Sequence, residues 1–172
     1  FCRGCHECWT LHPGRCSIED GFGDLARTMA DADILVLASP LHFLQVSGQL
    51  KVFIDRMTSL GGDPHASRGD GVGKAAPRLV AISSCGFPRI EQYGPLSAWM
   101  GAFAGLLGME LACEAYVQSS RRLGGDGAAA RPEALGYLAR LREAGRKLAH
   151  GEALEEAERA SLRQGFGPEA SA

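Results

Sequence analysis

Residues 33–57 read DILVLASPLHFLQVSGQLKVFIDRM, and this stretch decides the fold class. Its first part, DILVLAS, is almost continuously apolar and ends in Ser-Pro, which is typical of a central parallel strand buried on both faces. Ser47 can then cap a helix. The apolar side chains of that helix recur at helical spacing and form one face: Leu50, Phe53, Ile54 and Met57. A buried strand followed by a helix that covers it predicts an α/β fold.

The rest of the chain repeats this alternation. Residues 78–84 have the same buried-strand pattern and run into CGFP. Further expected elements are a helix over 95–107, a strand over 110–118 and a helix that begins at Pro132 and stops at Gly151. The Gly- and Pro-rich residues 58–77 predict a lid or a mobile loop. We therefore expect residues 1–150 to form one domain with a parallel sheet, and residues 151–172 to form a tail that is either a short peripheral helix or frayed.

Composition narrows the functional classes. The 172 residues are 45% hydrophobic and 22% charged, as in an ordinary globular domain, and the formal net charge is only -2. No run of like charges indicates nucleic-acid or membrane-surface binding, and the longest apolar stretch, at 100–112, is too short to cross a bilayer. We expect a cytoplasmic protein with neither a nucleic acid nor a membrane as partner. In a reducing compartment, clustered thiols are more often metal ligands or redox groups than disulfides.

Four of the six cysteines lie in the opening FCRGCHECWTLHPGRC with the spacing C-x2-C-x2-C-x7-C. Three cysteines at steps of three can reach three irons of a 4Fe-4S cubane, and a fourth after a turn at Pro13-Gly14 can complete the set. Arg3 and Arg15 would favour the thiolate form if they lie near the sulfurs. Four thiolates also suit zinc, although structural zinc sites usually space their ligands as two pairs, and the thiols could also bind nothing.

The two predicted strands end in unusual loops, and in open parallel sheets ligands bind beyond the carboxyl ends of the strands. The sequence ASPLHF, followed by VSGQLKVFIDR and later by CGFP, resembles the flavodoxin-like NAD(P)H-dependent FMN reductase family over roughly residues 1–118. The cysteine spacing is similar to that of the iron-sulfur flavoprotein branch of this family. The resemblance implies a flavodoxin-like three-layer sandwich with a parallel sheet, in which residues 1–16 form a cysteine cluster loop and residues 1–150 bind FMN.

The resemblance also implies the site residues. Those expected to line the flavin ring are Ser39, Pro40, Leu41, His42 and Phe43 after the first strand, and Ser84, Cys85, Gly86 and Phe87 after the second. Those expected to hold a 4Fe-4S cluster are Cys2, Cys5, Cys8 and Cys16. Without the resemblance, several of these residues have simpler explanations: Pro40 could end a strand, Phe43 and Phe87 could be core, and Cys85 could be a small buried hydrophobe, as we expect of Cys113.

The chain departs from the family in three places. His42 stands where the family often has Tyr, which adds a titratable group near the ring. Arg89 stands where an acidic residue often follows CGFP, which favours an anionic donor. In the family an N-terminal strand-helix-strand holds the FMN phosphate, whereas the sequence here opens on the cysteines; we expect that segment upstream, with a length of about 35 to 50 residues.

These observations predict an FMN-dependent NAD(P)H oxidoreductase or electron-transfer iron-sulfur flavoprotein that passes electrons through FMN and a 4Fe-4S cluster. The resemblance implies a small-molecule or protein electron donor and acceptor, with NAD(P)H as a donor, and a homodimer or homotetramer. No acid-base catalytic residue is expected. The alternatives are an NAD(P)H:FMN or quinone reductase without a cluster, and a non-catalytic zinc-binding interaction module.

Overall fold

Helices and strands alternate along the chain in the computed structural model, which describes residues 1–60, 77–124 and 131–166. The strands are β1 Ile34–Pro40, β2 Arg78–Ser84 and β3 Glu110–Val117. The helices are α1 Glu7–Thr10, α2 Phe22–Asp31, α3 Gly48–Arg56, α4 Gly94–Leu107, α5 Pro132–Ala149 and α6 Glu156–Arg163. Short 3-10 helices lie at Met57–Ser59, Ile90–Tyr93 and Ser120–Leu123. Most of the predicted lid, residues 61–76, lies outside the described residues.

The three described strands form one parallel sheet in the order β1-β2-β3. The sequence indicates a central position for β1 with both faces buried; β2 is the central strand of the three described strands, and the position of β1 beside the strands expected upstream stays a prediction. Within the described residues β1 is paired on one side only, and Val36 in its middle is 51% exposed. The apolar run identifies the strand correctly, but periodicity carries no information on its position in the sheet.

Helices cover both faces of the sheet, so the predicted three-layer α/β architecture is confirmed. The side chains of β2 alternate between the two faces. Leu79 and Ala81 belong to a core shared with α3 and α4, whereas Val80 and Ile82 pack in a second core with α5 and α6. Cys113 of β3 is buried in that second core, as expected of a structural cysteine. This layering is consistent with a flavodoxin-like fold.

Helix α3 forms as its sequence predicts. The Oγ of Ser47 accepts a hydrogen bond from the amide of Leu50 at 3.3 Å, which satisfies one donor of the first helical turn. Ile54 and Met57 are buried in the core. The first turn of the helix adjoins the loop after β1, and its last residue is Arg56.

Helix α2 was not predicted, although its apolar pattern was present in the sequence. Phe22, Leu25, Ala26 and Met29 recur at i, i+3, i+4 and i+7. Gly21 and Gly23 at its start obscured this signal, because glycine is a poor helix former. Phe22 and Ala26 are buried, and the Phe22 ring lies 5.6 Å from that of Phe53, measured between centroids. Helix α2 thereby packs beside α3.

The C-terminal tail is a helix and is part of the core where the structure describes it. Glu155 and Glu158 form a capping box at the start of α6. Leu162 is 1% exposed, and its carbonyl accepts a hydrogen bond from the hydroxyl of Tyr137 at 3.1 Å. Helix α6 packs against β3, and Arg163 pairs with the buried carboxylate of Glu114 at 3.1 Å. The expected short helix is therefore present, but up to residue 166 it packs against β3 and is neither peripheral nor frayed.

No helix in the described ranges is both long enough and apolar enough to cross a membrane.

Candidate functional site

The loops that follow β1 and β2 lie side by side. Pro40 and Ser84 are register partners at the ends of the two parallel strands. Just beyond them, the amide of Leu41 donates to the carbonyl of Ser84 at 2.9 Å. Two motifs that are distant in the chain thus form one edge at the carboxyl end of the sheet, where open α/β sheets bind ligands.

The loop after β1 is a tight reversal. The backbones of His42 and Gln45 exchange hydrogen bonds of 2.8 and 3.0 Å. Between them, Phe43 and Leu44 adopt left-handed conformations, with φ of 48° and 67°. Such a conformation in a non-glycine residue costs about 1 kcal/mol or more and is found preferentially at functional sites. The reversal leaves the Phe43 side chain fully exposed.

Ser39 fixes the base of this loop. Its Oγ accepts a hydrogen bond from the amide of Ser47 at 2.8 Å and donates to the carbonyl of Pro40 at 2.9 Å. Ser47 in turn caps α3, so the strand end, the loop and the helix start are linked through two hydroxyls. The loop is therefore positioned by the body of the domain.

The loop after β2 is held by hydrogen bonds to the end of β3 and to the residues that follow it. The amide of Cys85 donates to the carbonyl of Val117 at 2.9 Å, and the carbonyl of Cys85 accepts from Ser120 at 2.8 Å. The Cys85 thiol is buried, and its Sγ accepts a hydrogen bond from Nε2 of Gln92 at 2.9 Å. Cys85 therefore supports the loop, since its side chain and both its backbone groups are bound within the protein.

Gly86 and Phe87 form the exposed rim of the same loop. Neither amide donates to another group in the part of the chain that the structure describes. A Cβ added at Gly86 would meet no atom within 4 Å, so the space above this backbone is open. Two available amides beside open space, with the exposed Phe43 on the adjoining loop, can receive a flat ligand with hydrogen-bond acceptors on its edge.

The four cysteines of the opening segment line one cavity of about 380 Å³. Its wall is formed by Cys2, Cys5, Cys8 and Cys16, with Arg3, His6, Asp55, Arg56 and Ser59 among the other lining residues. All four thiols are free, and the turn at Gly14, with φ of 80°, returns the chain so that Cys16 faces the other three. Across the described ranges, no three His, Cys, Asp or Glu side chains are close enough to hold a metal ion.

The cysteines influence each other electrostatically. Burial raises the pKa of the Cys8 thiol, and the neighbouring Cys16, Cys5 and Cys2 raise it further. Like charges in a group of thiolates repel, and a bound cation relieves that repulsion. The four thiols line one cavity and are soft donors of the kind that thiophilic metals prefer.

Arg56 is the cationic side chain that contacts Cys16, and the sequence does not predict this contact. Of the two arginines that the sequence places near the cysteines, Arg3 lines the cavity, whereas Arg15 is exposed and lies 3.8 Å from the Glu19 carboxylate. Arg56 is buried and its Nη2 lies 3.4 Å from Sγ of Cys16. The available signal was the FIDR sequence, in which Arg56 follows Ile54 by two residues and ends the helix next to the buried Met57.

Trp9 attaches the cysteine loop to the domain. Its indole Nε1 donates to the carbonyl of Thr58 at 3.0 Å, and its ring packs on His6 with centroids 4.6 Å apart. Arg56 and Thr58 lie at the end of α3, whose first turn adjoins the loop after β1. The cysteine cavity and the strand-end loops thus lie at opposite ends of one nine-residue helix, about 14 Å long.

Two iron-sulfur flavoproteins are similar to this chain. The protein from Archaeoglobus fulgidus is 35% identical over 88 residues, which is 51% of this chain and 37% of the relative. The protein from Methanocaldococcus jannaschii is 39% identical over 59 residues, which is 34% of this chain and 30% of the relative. The matches therefore cover 37% and 30% of the length of these relatives, less than half in both cases.

The family described as NADPH-dependent FMN reductase matches residues 4–109, which include Cys5, Cys8 and Cys16 but not Cys2, both strand-end loops and α3. Because this match covers more than half of the chain, the chain belongs to the NADPH-dependent FMN reductase family.

Proposed function

We propose that the protein is an FMN-dependent oxidoreductase that accepts electrons from NAD(P)H or from a protein donor. The observation that carries the proposal is the pairing of Pro40 with Ser84, which brings the two loops with family motifs to one open edge of the sheet. Family membership supports FMN as the ligand of that edge. When bound, the flavin supplies the conversion between hydride transfer and single-electron transfer.

The residues proposed to receive the flavin ring are Ser39, Pro40, Leu41, His42, Phe43, Ser84, Cys85, Gly86 and Phe87. The structure suggests different tasks for them. The amides of Gly86 and Phe87 are available to donate to acceptors on the ring edge, and Phe43 offers an exposed aromatic surface. Ser39 and Cys85 are held by hydrogen bonds within the protein and position the two loops.

We further propose that Cys2, Cys5, Cys8 and Cys16 hold a 4Fe-4S cluster. Four free thiols around one cavity form the donor set that such a cluster requires, and the two relatives are named iron-sulfur flavoproteins. Free thiols grouped in this way suit a reducing compartment such as the cytoplasm. The FMN-binding unit is proposed to span residues 1–150, in a homodimer or homotetramer.

Purification without oxygen, followed by analysis of flavin, iron, acid-labile sulfide and zinc, tests this function. We expect one FMN per chain, iron and sulfide in equal amounts, and bleaching of the flavin bands when NADPH or NADH is added. Iron without flavin, or no reduction by either nucleotide or by dithionite, would contradict the oxidoreductase. Finding one zinc per chain and no iron would show that the cysteines hold a structural zinc ion and not a cluster.

The cysteine assignment is tested with two matched variants. Cys5 is exposed, so Cys5→Ala should leave the fold and the flavin bands unchanged while the broad visible absorbance of the cluster and the bound iron are lost. Cys113→Ala, in the core beneath α5 and α6, is the control and should retain both. A Cys5→Ala protein with a full complement of iron would exclude this residue as a ligand.

A further inference from the structure

Arg56 is a charged side chain that the fold buries. It is 7% exposed, and burying a guanidinium costs several kcal/mol unless it is paired. Its main partner is Asp20, with Nη1 to Oδ2 at 2.6 Å and Nη2 to Oδ1 at 3.0 Å. The guanidinium carbon also lies 4.2 Å from the centre of the Phe22 ring, on α2. The side chain is therefore fixed on two sides, which is unusual for a residue with this much rotamer freedom.

The same guanidinium also contacts the chain just before Asp20. Its Nη2 lies 3.3 Å from the carbonyl of Ile18 and 3.4 Å from Sγ of Cys16. Nη2 carries two hydrogens for three acceptors, so these contacts are shared. All the acceptors belong to residues 16–20, and Arg56 belongs to α3, so one side chain ties this segment to the body of the domain.

Cys16 needs such support more than the other cysteines do. Cys2, Cys5 and Cys8 follow one another at steps of three in one loop, whereas seven residues and a turn separate Cys16 from Cys8. Its position relative to the cavity therefore depends on how residues 16–20 are held. Asp20 also accepts a hydrogen bond from the amide of Phe22 at 3.0 Å, so the segment is continuous with the start of α2.

We propose that Arg56 is a positioning residue that holds Cys16 in the wall of the cysteine cavity and places a fixed positive charge beside the sulfur of the bound cluster. The inference rests on the proposed function, since it needs a metal group on the cysteines. A hydrogen bond to a ligating sulfur, or a nearby positive charge, stabilises the reduced, more negative form of a cluster and raises its reduction potential. Arg56 would then act on the retention of the cluster through its geometry and on the potential through its charge.

Two substitutions separate these effects. Arg56→Gln removes the charge and the fork, so the cluster should be lost about tenfold faster or more on exposure to a chelator, and its midpoint potential should become more negative. Arg56→Lys keeps the charge but cannot reach Asp20, Ile18 and Cys16 together. This variant should lose its cluster faster while its potential stays near that of the wild-type protein.

Arg122 provides a matched control at a distance from the cysteines. It is 10% exposed, pairs with Glu133 at 2.6 Å, and lies over the Phe166 ring with its guanidinium carbon 5.2 Å from the centroid. Arg122→Gln and Arg122→Lys therefore disturb a similar buried ion pair. Circular dichroism confirms the folded state of all four variants, and if Arg56→Gln does not fold, the comparison of Arg56→Lys with Arg122→Lys decides.

The experiment uses the full chain, loaded with iron and sulfide in the absence of oxygen. Absorbance follows two measurements: the rate of cluster loss to a chelator and a redox titration. Faster cluster loss in the Arg56 variants than in the Arg122 variants, with a more negative potential in Arg56→Gln, supports the inference. Folded Arg56 variants with wild-type retention and potential would overturn it and leave the proposed function intact. A wild-type protein that takes up flavin but no iron would overturn the cluster assignment, and the inference with it.

Discussion

The backbone amide of Leu41 donates to the carbonyl of Ser84 at 2.9 Å, one residue beyond the last paired positions of β1 and β2. This contact makes the two strand-end loops a single unit, because the loop after β1 cannot shift without the end of β2. For a substitution in either loop, ligand affinity and the free energy of unfolding should therefore be measured separately.

Gly86→Val should weaken FMN binding without harming the fold. A branched side chain would fill the open space beside the Gly86 backbone, which the proposed ring needs, yet a Cβ there meets no protein atom within 4 Å. We expect the affinity to fall about tenfold or more, on the order of 1.4 kcal/mol, in a fluorescence titration of the apoprotein.

Gly101→Val on α4 is the control for this substitution, since a Cβ at Gly101 also meets nothing within 4 Å. Its FMN affinity should equal that of the wild-type protein. Equal affinities for the Gly86→Val and Gly101→Val proteins would remove the second strand-end loop from the flavin site.

Phe43→Ala should weaken FMN binding less and shift the midpoint potential of the bound flavin. The side chain buries nothing within the described protein, so its removal should leave the unfolding midpoint unchanged. Loss of an aromatic surface from one side of the ring changes its surroundings and hence its potential. Leu135→Ala, which removes a 56% exposed side chain on α5, is the control and should alter neither the FMN affinity nor the midpoint potential. A Phe43→Ala protein that is destabilised but binds FMN normally would show that Phe43 serves the fold.

Sequence patterns were sufficient where local burial decides the structure. The apolar runs located β1 and β2, and the spacing of Leu50 to Met57 located α3 with its cap at Ser47. The adjacency of the strand-end loops followed from the geometry of parallel sheets. The position of β1 in a sheet that includes the strands expected upstream stays a prediction, because a run of apolar residues indicates buried faces and does not identify the neighbouring strands.

The partner of Cys16 could not be predicted because it depends on tertiary contacts. Arg3 and Arg15 are close to the cysteines in the chain, and proximity in sequence favoured them. The fold instead brings Arg56 to the thiol, through an ion pair with Asp20 that no local pattern encodes. The flavin-facing roles within the nine predicted residues, from Ser39 to Phe87, stay predictions that ligand binding must test.

Gly165→Ala should destabilise the protein and so test whether the C-terminal segment belongs to the core. Gly165 has φ of 68°, and a Cβ there would lie 2.8 Å from the carbonyl oxygen of Tyr116 and against the side chain of Gln118. We expect a loss of about 2 kcal/mol or more in urea unfolding. Gly151→Ala is the control: its Cβ meets nothing within 4 Å, so only the left-handed φ of 82° is unfavourable, and the free energy of unfolding should fall by about 1 kcal/mol. Equal losses in the two variants would show that Gly165 is not packed against β3.

The pairing of Asp20 with Arg56 should make the stability of the protein depend on acid. The hydrogen bond from Arg56 holds the pKa of the Asp20 carboxyl below its ordinary value, which is about 3.9 in an unfolded chain. A carboxyl with a lowered folded-state pKa stabilises the protein fully above the unfolded value, and this contribution is lost as the pH falls through the folded value. Asp20→Asn should therefore be less stable than the wild-type protein at pH of about 7, and the difference should shrink below a pH of about 4.

Urea unfolding at several pH values measures this difference in stability. The control is Asp24→Asn, which removes an exposed ion pair with Arg27 and should cause a smaller loss of stability at neutral pH. A difference between Asp20→Asn and wild type that stays constant down to pH of about 3 would show that the carboxylate charge contributes nothing to holding Arg56 beside Cys16.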